Sequence, residues 1–171
     1  MLRQLKSDGT KLLLDASALI PEVLQEISGT STIITPHPGE YKRIFGEDAG
    51  LTEEERISNI DRFSKKYGIT IVLKGPTNLV SSCADGDGHV AVIKRSTSAM
   101  TVGGTGDVLS GLAAGLLTKL KPFDASILGL YYNGLAASLA YKRVGLHMVA
   151  TDLIEHLPNA MKTFDKIKSG C

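Results

Sequence analysis

Five consecutive residues, Gly103-Gly104-Thr105-Gly106-Asp107, carry the densest chemical signal in this 171-residue chain. They lead directly into Val108, Leu109, Leu112, Ala113, Leu116 and Leu117, whose spacing predicts a helix. Glycines let the backbone take positive φ and approach a ligand closely. The first N–H groups of a helix lack intrahelical partners and point outward. The glycines and these free N–H groups together make an anion hole suited to a phosphoryl group in transfer. Asp107, at the same mouth, is placed to accept a proton from an attacking hydroxyl. The turn lacks the Gly-Lys-Ser/Thr ending of a Walker A loop, and no strand directly precedes it as the dinucleotide fingerprint requires. Alone, it describes an ordinary helix start at least as well, and it supports anion binding only.

Other segments carry weaker signals. Lys74-Gly75-Pro76-Thr77-Asn78 follows an apolar strand, at the carboxyl edge where α/β sheets bind ligands, although one exposed lysine in a strand-ending turn also fits. His37 and Glu40 lie in Thr35-Pro36-His37-Pro38-Gly39-Glu40. Residue type alone leaves a loop histidine and a solvated glutamate as good a description as a ligand pair. A helix-start glutamate near polyphosphate can hold Mg²⁺, usually through water. Asp85-Gly86-Asp87-Gly88 invites a calcium reading, but the twelfth position from Asp85 is Ser96 rather than the Glu that closes an EF-hand. A hairpin turn fits it better. His89, His147 and His156 share no ligand spacing and read as surface or satisfied histidines. Tyr131-Tyr132-Asn133-Gly134 reads as helix packing.

The elements that must position these residues alternate. Leu12 to Asp15, Thr32 to Ile34 and Ile69 to Leu73 are short buried strands. Helices are expected over Pro21 to Ile27, Pro38 to Phe45 and from Leu51 to Tyr67, the last capped by Thr52 and ended by Gly68. Leu79 to Cys83 and Val90 to Ile93 form a β-hairpin. From Thr105 the pattern is helical, with Gly129, Gly134 and Ala137 predicting close packing along Pro122 to Arg143. Thr151 to Lys166 is a last helix, kinked or broken at Pro158. The sum is an α/β fold, a parallel sheet flanked by helices with a small β-hairpin, in a single domain, whole or partial, over residues 1–171.

Composition sets the outer limits. The chain has 43% hydrophobic and 22% charged residues and a net charge of +1, with no concentrated basic stripe, which argues against nucleic acid as partner. Lys11-Leu12-Leu13-Leu14 stops at Asp15, too short to span a bilayer, so no membrane association is expected. Met1 to Lys6 is not followed by a signal-peptide hydrophobic region. Cys83 and Cys171 have no metal-knuckle spacing, and free thiols fit a reducing, cytoplasmic setting.

Four ordered segments carry a resemblance. Ser98-Ala99-Met100-Thr101-Val102-Gly103-Gly104-Thr105-Gly106-Asp107-Val108-Leu109-Ser110-Gly111 resembles the signature of the ADP/ATP-dependent NAD(P)H-hydrate dehydratases, ribokinase-like enzymes that repair hydrated nicotinamide cofactors. Thr35 to Glu40 matches that family's Thr-Pro-His-Pro-Gly-Glu motif without change. Leu14-Asp15-Ala16-Ser17-Ala18-Leu19 and Val72-Leu73-Lys74-Gly75-Pro76 are similar to two further segments. The resemblance implies a ribokinase-like fold, ADP or ATP as co-substrate, Mg²⁺ near Glu40, hydrated NADH or NADPH as substrate, and a homo-oligomer. It implies substrate contacts at His37 and Asp107. Nucleotide contacts fall at Lys74, Gly75, Pro76, Thr77, Asn78 and Gly106, and catalysis at Asp107 with the amides of Gly104, Thr105 and Gly106. Ser17 stands where the family usually has Asp and Ile20 where Asn is frequent, both near the expected substrate side. The family's earlier strands have no counterpart before Met1, so the front of the usual domain is expected to be missing. Two rival readings follow: a vitamin-precursor kinase of the same superfamily, which usually carries Asn where His37 stands, and a non-catalytic nucleotide-binding or structural half-domain.

Overall fold

Short apolar strands need cover on both faces, and the helices between and after them supply it. The computed structural model describes residues 8–84, 86, 88–94 and 98–162. Strands β1 (Leu12–Leu14), β2 (Thr32–Ile34), β3 (Thr70–Leu73), β4 (Asn78–Ser82) and β5 (His89–Ile93) form one sheet in chain order. β1, β2 and β3 run parallel. β4 is antiparallel to β3, and β5 to β4.

The sheet is thus mixed rather than wholly parallel, and the predicted hairpin is its far edge. The reason lies in the connection. Only residues 74–77 join β3 to β4, whereas a parallel crossover takes a dozen or more, so the chain must turn straight back. Of the hairpin turn, Asp85 and Asp87 lie outside the described residues.

Helices α1 (Val23–Ile27), α2 (Pro38–Phe45) and α3 (Glu53–Tyr67) connect the parallel strands, and α4 (Thr105–Leu117), α5 (Pro122–Val144) and α6 (Ala150–Lys162) follow β5. Alternation along the strands divides the core. Ile34, Ile71, Leu73 and Leu79 pack with Leu24, Tyr41, Ile44, Ile60 and Phe63 of α1–α3. Ile33, Val72 and Val80 pack with Leu109 and Leu117 of α4 and Ala125 and Leu130 of α5. Each fully buried Leu or Ile contributes about 1.5–3 kcal/mol.

Local sequence fixes the helix ends. Thr52 and Glu55 cap α3 reciprocally, and Gly68 closes it with φ 62°. Lys11 Nζ donates to the carbonyls of Leu117 (3.0 Å) and Leu120 (2.9 Å), neutralising the negative end of α4. A Cβ on Gly129 would stand 3.1 Å from Ala113 Cβ, so this glycine sets how closely α5 crosses α4. Helix α6 runs through Pro158 without a break, because Leu153 and Ala160 on either side are both buried and packing carries the helix across the missing N–H. Of the expected last helix, residues beyond Lys162 lie outside the described ones. No helix among the described residues is long and apolar enough to cross a membrane.

Candidate active site

Three parallel strands deliver their carboxyl ends to one edge, and each ends on a polar residue that reaches the same place. Asp15 follows β1, Thr35 and His37 follow β2, and Lys74 follows β3. Lys74 Nζ donates to Asp15 Oδ1 at 2.7 Å and lies 3.6 Å from Glu40 Oε2. Ser110 Oγ, on the first turns of α4, donates to Asp15 Oδ2 at 2.6 Å. Burial alone would raise the Asp15 carboxyl. The Lys74 and Ser110 hydrogen bonds, the Lys74 charge and the Ala16 N–H outweigh it and hold the group below its ordinary value.

Asp15 also fixes the backbone that follows. Ala16 has φ +51°, a conformation costly for a residue with a Cβ. Its N–H donates to Asp15 Oδ1 at 2.9 Å. Arg43 of α2 donates to the carbonyls of Ala16 at 2.6 Å and Leu19 at 3.0 Å, pinning the 3₁₀ turn Ala16–Ala18. Ser17 lies on this turn and Ile20 just beyond it.

His37 and Glu40 form a capping box at the start of α2. His37 Nδ1 accepts from the N–H groups of Gly39 and Glu40, and Glu40 Oε2 accepts from the N–H of His37 at 2.8 Å. The Glu40 carboxylate is therefore engaged by its own helix and faces the Lys74 ammonium. The His37 side chain is 56% exposed.

The glycine turn is built as predicted. Gly104 takes φ +90° as N-cap of α4, and no side chain caps that terminus. Thr105 Oγ1 donates toward the carbonyls of Met100 (2.9 Å) and Val102 (3.0 Å), which ties the turn to the 3₁₀ segment Ser98–Thr101. A Cβ on Gly104 would meet Ala150 Cβ at 2.9 Å, and one on Gly106 would stand 3.6 Å from Lys74 Nζ. Glycine at 104 thus meets both a backbone demand and a steric one.

Two cavities meet at Gly104. The larger, about 770 Å³, is lined by His37, Lys74, Gly75, Pro76 and Asn78, by the turn from Met100 to Gly106, and by Leu109, Leu130 and Asn133. The smaller, about 470 Å³, lies between α4 and α6 and is lined by Gly104, Asp107, Val108, Gly111, Leu112 and residues of α6. His37 and most of the 74–78 segment thus share a cavity with the glycine turn. Asp107 opens on the other side of Gly104. Thr77 and Glu40 line neither cavity. Residues Asp15, Ser110 and Asn133 were not expected at the site. His89 rests against Phe123, His156 bonds the Asp152 carbonyl, and the exposed His147 ends a 3₁₀ turn packed on Ser98–Thr101; none of the three lines either cavity.

The NAD(P)H-hydrate dehydratase family profile matches residues 1–159. The chain belongs to this family. It is 46% identical over 160 residues to the ADP-dependent (S)-NAD(P)H-hydrate dehydratase of Cenarchaeum symbiosum, covering 92% of this chain and 54% of that protein. Among solved structures, the Bacillus subtilis ADP/ATP-dependent NAD(P)H-hydrate dehydratase co-crystallised with ATP and Mg²⁺ superposes with a TM-score of 0.79 at 28% identity, over 92% of this chain and 56% of that one. The hydroxyethylthiazole kinase of Pyrococcus horikoshii shares the fold, with a TM-score of 0.75 at 20% identity over 96% of this chain and 67% of that one. The ribokinase-like architecture expected from the sequence is the one observed. The chain spans just over half the length of its dehydratase relatives.

Proposed function

We propose that this chain carries the site for nucleotide-dependent dehydration of hydrated NADH or NADPH. One observation carries the reading: Gly104 borders both cavities, with Lys74 and the amides at the α4 mouth on one side and Asp107 on the other. That arrangement suits a phosphoryl donor and an acceptor hydroxyl that meet at a helix N-terminus.

In this reading the nucleotide lies in the larger cavity, against Lys74, Gly75, Pro76 and Asn78. The amides of Gly104, Thr105 and Gly106 hold the transferring phosphoryl oxygens. Asp107 takes the proton of the ring hydroxyl, whose oxygen attacks the terminal phosphorus as the bond to the bridging oxygen breaks. Loss of that phosphate, together with a ring proton, restores the dihydronicotinamide double bond. His37 lines the same cavity as the nucleotide, so its contact with the substrate falls where the hydrate reaches past Gly104 toward the phosphoryl group. Positioning and fixed dipoles supply most of the acceleration.

Among the described residues no three His, Cys, Asp or Glu side chains are grouped to hold an ion, and Glu40 is engaged by the α2 cap and Lys74. A Mg²⁺ ion would neutralise phosphate charge and arrive on the nucleotide, with Glu40 reaching it only through water. The same reading carries the cytoplasmic location and the self-association inferred from the sequence.

Product analysis tests it. Incubation with hydrated NADH and ADP or ATP is expected to regenerate the dihydronicotinamide absorbance with release of inorganic phosphate. Accumulation of a stable phosphorylated product would instead identify a small-molecule kinase. Nucleotide binding without any turnover would favour a non-catalytic role.

A further inference from the structure

Asn133 was expected to be ordinary packing within α5, and the structure gives it an unusual position. The residue is 2% exposed, and its Oδ1 is buried without a hydrogen-bond partner. It nonetheless lines the larger cavity, with Leu130 one turn earlier on the same helix and with Leu109, Met100, Val102 and Pro76 also in the lining. A primary amide in such surroundings is costly: an unsatisfied buried acceptor loses about 1–3 kcal/mol relative to a bonded one. Leucine would fill this position on the α5 face with no polar group to satisfy.

The cavity also holds the complementary chemistry. In the nucleotide reading its phosphate end is the α4 terminus, which no side chain caps, with Lys74, while Pro76, Met100, Val102, Leu109 and Leu130 offer apolar surface to a flat ring. A ligand that places phosphates at the turn and a heteroaromatic base on the apolar wall would meet the amide there. An asparagine amide presents an acceptor and a donor side by side. Adenine matches that pair with its exocyclic amino group and an adjacent ring nitrogen.

We propose that Asn133 is a base-recognition residue: its Oδ1 accepts from the amino group of adenine and its Nδ2 donates to a ring nitrogen. The proposal rests on the nucleotide reading above and names the residue that selects the base. Asn133 plays no part in the phosphoryl chemistry.

Calorimetric binding to the full chain tests it, with ADP, purine riboside diphosphate (the same ring without the amino group) and inorganic pyrophosphate as probes. Wild type is expected to bind ADP about tenfold more tightly than the purine riboside analogue, the effect of one well-made hydrogen bond in a dry site. In Asn133→Leu the two nucleotides should bind alike, pyrophosphate should bind as before, and the ligand-free Tm should not fall. Equal affinity of wild type for ADP and the analogue overturns the proposal while leaving the phosphate site intact, and needs no variant. An equal loss of pyrophosphate and ADP in Asn133→Leu overturns it too, since the amide would then act on the fold. Failure of wild type to bind either nucleotide or pyrophosphate removes the nucleotide reading itself, and the proposal with it.

Discussion

Lys74 lies between two carboxylates, 2.7 Å from Asp15 and 3.6 Å from Glu40, and borders the glycine turn through Gly106. Asp15 is the pivot of this set, since Ser110 and the Ala16 N–H share its other bonds. Its folded value is depressed, so its contribution to stability is complete above the ordinary carboxylate range and fades as pH falls through the folded value. Thermal denaturation of wild type is thus expected to lose stability below about pH 4. Asp15→Asn should flatten that slope and lower stability at neutral pH by about 1–3 kcal/mol. Superimposable pH profiles for the two proteins would show that the pairing contributes nothing. Sequence carried only part of this site. Gly104, Gly106, Lys74 and His37 were legible because a turn or a strand end marks each in local sequence. Ser110 and Asp15 are 95 residues apart, and no local pattern joins them. The division of the cavities was within reach, because consecutive helix positions diverge by about 100°, so Gly106 and Asp107 could not face the same space.

At the scale of elements, glycines of α4 and α5 make opposite demands. A Cβ on Gly129 would press on Ala113 at 3.1 Å, whereas one on Gly115 would meet nothing within 4 Å. Gly129→Val is expected to destabilise by about 1–3 kcal/mol through overpacking. Gly115→Ala should stabilise by about 0.5–1 kcal/mol through lost unfolded-state freedom. Urea midpoints of the two variants against wild type check both signs. The strands and the caps at Thr52 and Gly68 were readable because apolar runs and capping residues act locally. The mixed sheet was readable too, from the short 74–77 connection, but apolar composition alone suits either pairing direction. A break at Pro158 does not occur for the converse reason, since its cost is local and the packing of Leu153 and Ala160 that offsets it is not.

At the scale of the molecule, the fold gathers strand ends and one helix mouth around Gly104, so ligand binding should tighten the whole. A nucleotide present at 100 times its Kd is expected to add about 2.7 kcal/mol to stability, read as a rise in Tm. Gly104→Val should abolish that rise, because the side chain would combine strained φ with a clash against Ala150. A full ligand-induced shift in that variant would move the anion site elsewhere. The central claim is that phosphoryl transfer occurs at this mouth with Asp107 as the proton acceptor. The direct measurement is turnover of hydrated NADH by Asp107→Asn beside its nucleotide affinity. The expected result is a loss of about 100-fold or more in turnover with nucleotide affinity little changed, and turnover near that of wild type would contradict the account.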